Sequence, residues 1–140
     1  MSFASKVAAL SKVYKDRLAF VCDEVTRSLA NEFIQRTPID TGFMVSNWDV
    51  GVGFKPTVVY GTYDRNRFIN GAEMIAVTRV ASLVKDTLGK IVWVANSVHY
   101  AQYIENHHSR ENAPEGIIRI TVRGYGEHVA AAVLKSRFGR

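Results

Sequence analysis

Nine large apolar side chains, Phe3, Val7, Leu10, Tyr14, Leu18, Val21, Val25, Leu29 and Phe33, follow one another at steps of three or four residues. That spacing predicts one uninterrupted helix over 3–36 with a single apolar stripe. Ser2 is placed to act as N-cap, its hydroxyl taking a backbone N–H of the first turn. Pro38 ends the helix by holding Thr37 out of the helical region. A helix of that length spans roughly 50 Å. A compact body of 140 residues is only roughly 30–35 Å across. Part of the stripe must therefore overhang the fold, and burying it requires another chain.

The remaining residues read as a smaller mixed body. Ile39-Asp40-Thr41-Gly42 is a turn, with glycine available for positive φ. Alternation over 43–53 predicts a strand that buries Trp48. Residues 54–70 read as an extended loop whose Tyr60, Tyr63 and Phe68 suggest a segment that docks on another surface, such as a neighbouring subunit, with a strand conceivable at Thr57–Tyr60. A second helix is predicted over 71–88, closed by Gly89 as left-handed cap. Ile91 to Asn96 reads as a strand, 99–106 as a short helix and 107–112 as a polar loop. A last helix is predicted over 114–137, weakened by Gly124 and Gly126, with 117–122 readable as a strand instead. The fold class is α+β: a long N-terminal helix and further helices packed on a small, mainly antiparallel sheet. One domain is expected, the helix over 1–36 and an α+β body over 37–140.

Charge and cysteine content narrow the classes of function. No run reaches the roughly 20 apolar residues of a membrane span, and the start lacks a signal peptide's apolar core. A cytoplasmic protein is expected. The single cysteine, Cys22, excludes an internal disulfide framework and fits a structural thiol better than a nucleophile. The net charge is +5. Within 117–140, Arg119, Arg123, Lys135, Arg137 and Arg140 stand against Glu127 alone. Such a segment can face DNA or an acidic partner, although a solvated helix face is the commoner outcome.

Chemical motifs are sparse. Asp40-Thr41-Gly42 matches the aspartic-protease triplet, which in one copy would need a homodimer to pair two aspartates. It follows a helix terminator here rather than an apolar strand, and the supporting downstream glycine motif is missing, so a turn is the better reading. His99, Glu105, His107 and His108 are potential metal ligands, but their spacing fits no metal-binding helix pattern. Phosphate loops, nucleophile elbows and dinucleotide fingerprints are absent from the sequence. No cofactor is expected, and no catalytic residue is assigned.

Two segments do carry a resemblance. Thr37-Pro38-Ile39-Asp40-Thr41-Gly42, after a long helix and before Ser46-Asn47-Trp48, resembles an "(S/T)P-hydrophobic-DTG-x-L-x-x-S" segment. Asn96 to Asn106, with Tyr100, Ala101, Ile104 and Glu105, resembles "N-x-x-x-Y-A-x-x-I-E-x-G". Both mark the HK97 gp10-like phage tail-component family of neck, tail-completion and minor tail proteins. The chain departs from the pattern at Met44 and at Asn106-His107.

The resemblance implies a non-enzymatic virion protein at the head-tail junction, assembled in the host cytoplasm. It implies a homo-oligomeric ring, commonly a hexamer. Its neighbours would be a portal-adaptor or head-closure protein and a tail-tube or tail-terminator protein. DNA would cross the lumen without specific binding, and no membrane would be involved. A tail terminator capping the tube is the near alternative; a nucleic-acid-binding protein and an aspartic-protease dimer are the distant ones. The expected structural residues are Pro38, Asp40, Thr41, Gly42, Trp48, Tyr100, Ala101 and Glu105. Tyr100, Tyr103 and Ile104 would pack on the corner at residues 40–42, and Glu105 would bond that turn's backbone or an arginine. The basic residues facing DNA or a partner would be Arg119, Arg123, Lys135 and Arg137.

Overall fold

A computed structural model describes residues 2–107 and 115–138. Helix α1 runs Phe3–Arg36, as its stripe predicts. The Ser2 hydroxyl accepts the Ser5 N–H at 3.1 Å, and Thr37 is extended, with φ −70° and ψ 123°.

The predicted 43–53 strand divides into two elements. Phe43–Ser46 is a one-turn helix, α2, and only Trp48–Val52 is strand β1. Gly42 starts the turn at φ 85°, and the Ser46 N–H closes it on the Gly42 carbonyl at 3.0 Å. Every residue from Thr41 to Gly51 is buried. With no solvent side, apolar alternation does not separate strand from helix there.

Helix α3 spans Ala72–Leu83 and stops short of the expected end. Gly89 does adopt φ 75°, but it serves a turn in which the Lys90 N–H reaches the Thr87 carbonyl. Strand β2, Val92–Asn96, pairs antiparallel with β1 in the register Trp48↔Asn96 to Val52↔Val92. The conceivable strand at Thr57–Tyr60 is not formed. The Asn47 side chain holds that segment instead: its Oδ1 accepts the Tyr60 N–H at 2.6 Å and its Nδ2 donates to the Tyr60 carbonyl at 3.2 Å. The phenol of Tyr60 donates to Asp49 Oδ2 at 2.8 Å, and Arg79 stacks 3.7 Å from its ring centroid. The aromatic loop thus docks on its own sheet at Tyr60. That carboxylate hydrogen bond, with burial second, raises the Tyr60 hydroxyl above its ordinary pKa.

Helix α4 covers Ala101–His107. The C-terminal helix is broken at Gly124 into α5, Ile118–Arg123, and α6, Tyr125–Phe138, so the alternative strand over 117–122 is also not formed. The polar loop beyond His107 and the helix start at Pro114 lie outside the described residues.

The fold is α+β, with helices around a two-stranded antiparallel sheet. Its core joins the second half of α1 (Ala30, Phe33, Ile34) to Val45, Trp48, Val50, Ala76, Val80 and Ile117. Among the described residues no helix is long and apolar enough to cross a membrane.

Candidate assembly surface

The two resembling segments meet in space. Thr37 is the keystone: its hydroxyl donates to the Phe33 carbonyl at 2.6 Å and accepts the Trp48 indole N–H at 2.7 Å. Trp48 is 2% exposed and tilts against Phe33. Thr41 Oγ1 accepts the Phe43 N–H, and the Thr41 carbonyl takes the Ile69 N–H at 2.8 Å. A Cβ on Gly42 would lie 2.8 Å from Ala72 Cβ, so glycine is required for close approach as well as for φ. Thr41 and Gly42 therefore build the corner, while Asp40 stays exposed.

From the other segment, Asn96 Nδ2 donates to the Met44 carbonyl at 2.7 Å. Tyr100 and Ile104 join Pro38, Asp40, Gly42 and Tyr63 around a cavity of about 310 Å³. Ala101 is half-buried against the core. Burial raises the Tyr100 pKa first, and the charges of Tyr63 and Asp40 add to it. Tyr103 is 61% exposed.

Glu105 does not reach the corner turn. Its carboxylate accepts the backbone N–H groups of Ile117 (2.6 Å), Ile118 (3.0 Å) and Arg119 (3.1 Å). It thereby caps α5 with charge-assisted bonds, which ties α4 to the C-terminal helices. His99 stacks edge-on against Tyr100 and Tyr63. His108 and the His107 side chain lie outside the described residues. Among the described residues no three potential ligands gather into a metal site.

The basic C-terminal residues do not share one helix face, because the helix breaks between them at Gly124. Lys135 pairs with Glu24 of α1, and Arg123 pairs with Glu115 at 3.3 Å. Arg119 and Arg137 are exposed. Sequence reading missed the fastening of α6 to α1. His128 bridges two α1 residues, Nδ1 meeting Ser28 Oγ at 2.5 Å and Nε2 meeting the Glu32 carboxylate. The Lys135 hydrogen bond is the largest influence on Glu24 and holds its pKa below the ordinary value, against a smaller opposing effect of burial. For Glu32 burial pushes the pKa upward, but hydrogen bonds from Arg36 and His128 outweigh it and the net shift is down.

Among the described residues, the first half of α1 carries a continuous run of exposed apolar side chains. All residues from Ser2 to Leu18 are exposed. Phe3 is 83% exposed, Leu10 56%, Tyr14 61% and Leu18 53%. This arm stays helical because it propagates from a segment already nucleated on the body. Covering such a side chain removes it from water for about 1 kcal/mol or more. The arm also carries Lys6, Lys12, Lys15 and Arg17 against Asp16, a net +3. Comparison with protein-family models, with curated proteins and with solved structures returns no match.

Proposed function

We propose that the chain is a structural virion protein of a tailed bacteriophage, a ring-forming neck, head-tail connector or tail-completion protein. It acts by assembly rather than catalysis. The observation that carries this reading is the projecting arm of α1, whose apolar stripe continues unbroken past the edge of the body. Among the described residues nothing lies over it, whereas a ring of copies supplies a cover. The family resemblance supplies the setting, and its two motif segments line one cavity beyond the C-terminal end of α1.

In this reading the ring sits between a portal-adaptor or head-closure protein and a tail-tube or tail-terminator protein. DNA crosses its lumen without specific binding. Electron microscopy of particles made without the protein tests the placement. Full heads accumulating beside finished, unattached tails is the expected result; intact particles in normal yield would overturn it.

A further inference from the structure

We infer that the arm of one copy seats in a groove on the body of the next copy, formed where the α1 stripe meets α6. This rests on the reading that the chain assembles with itself, and it names the two surfaces that do so. The groove has a volume of about 340 Å³ and is lined by Val21, Cys22, Val25 and Leu29 of α1 with Tyr125 and Val129 of α6. It opens on the same helix immediately after the arm ends, so the exposed stripe and the groove are continuous.

Three features select a second copy's body as the occupant rather than its arm. Phe3, Val7, Leu10, Tyr14 and Leu18 span little more than two heptads, short of the three or four that sustain a coiled coil of arms alone. Pairing arm with arm also sets net +3 against net +3, whereas the groove's lining holds a single charged side chain, Lys90, so seating the arm there meets far less like charge. A specific interface buries roughly 800 Å² per partner, which a 16-residue arm approaches only when a groove wraps it. Giver and receiver are different patches of one chain, so the contact can pass head to tail from copy to copy, which makes a ring where the rotation closes.

Cys22 lines the groove and is the chain's single cysteine, which makes the contact testable by disulfide trapping. Val7→Cys, Leu10→Cys and Tyr14→Cys are introduced singly into the full chain, oxidised mildly at micromolar concentration and mapped by peptide mass spectrometry. Even Tyr14 and Cys22 are eight residues apart on one helix, about 12 Å, too far for a bond within one chain. A new-cysteine-to-Cys22 bond in at least one variant, lost when Cys22→Ser is added, is the expected result. Bonds only between two introduced cysteines, or only between two Cys22, would overturn the groove assignment. So would no bond in a protein that light scattering finds assembled, an outcome that leaves the assembly reading standing. A monomer without cross-links would overturn both.

Discussion

The Trp48 indole N–H donates to the Thr37 hydroxyl at 2.7 Å, joining the first residue of β1 to the cap that ends α1. Both residues are buried, and the same hydroxyl returns a hydrogen bond to Phe33 in the last turn of the helix. A two-bond relay through one threonine therefore ties the C-terminal end of α1 to the sheet.

Thr37→Val keeps the shape and removes the relay, stranding a buried indole donor. Loss of about 1–3 kcal/mol is expected, the usual cost of an unmade buried hydrogen bond. Thr37→Ser should recover most of it. Urea unfolding followed by tryptophan fluorescence reads the difference as a shift in midpoint at unchanged slope. Equal midpoints for the valine and serine variants would remove the hydroxyl from the account.

Gly42→Ala places a Cβ at φ 85° and within 2.8 Å of Ala72 Cβ. Left-handed strain and the clash together should cost about 2 kcal/mol or more. Gly53→Ala has similar φ strain but meets nothing within 4 Å, so it isolates the backbone effect. Thermal melts of the two variants should rank Gly42→Ala clearly lower.

Glu105→Ala uncaps α5 by removing the acceptor for three N–H groups. A cost of about 2 kcal/mol is expected, with Glu105→Gln intermediate because one neutral oxygen still accepts. Hydrogen exchange at Ile117, Ile118 and Arg119 should accelerate before exchange in the core. Uniform acceleration across the chain would instead mark Glu105 as a general packing residue.

The seam between α1 and α6 should be acid-sensitive. Glu24 and Glu32 both have folded pKa values below the ordinary one. As pH falls, the unfolded chain takes up these protons first. The stabilisation is thus complete above the ordinary glutamate range of about 4.3 and is lost as pH drops through the lower folded values. Melting temperature should fall over that window, and Glu24→Gln with Glu32→Gln should flatten the fall. An unchanged acid profile in the double variant would contradict the fastening.

How much was legible in the sequence follows from how local each signal was. The stripe from Phe3 to Phe33 fixes α1 to its ends, because half of that helix has a solvent side throughout and the period is unambiguous. The turn at Asp40 to Gly42 and the burial of Trp48 were equally readable. Helix α2 was not, because Phe43 to Ser46 are buried on all sides and erase the contrast that a period needs. Gly124 was visible as a weakness, but a glycine inside a helical pattern does not reveal whether the chain bends or breaks there. The partner of Glu105 and the contacts of His128 with Ser28 and Glu32 join residues far apart in sequence. Only the folded arrangement brings them together.

Sedimentation velocity across a micromolar concentration series addresses the arm directly, comparing the native chain with Leu10→Glu and Tyr14→Glu. Both positions are solvent-exposed, so the substitutions should leave the melting of the body nearly unchanged. The native chain should sediment as a closed assembly and each variant as a monomer. A native chain that stays monomeric throughout, or glutamate variants that assemble as well as it does, would contradict the account.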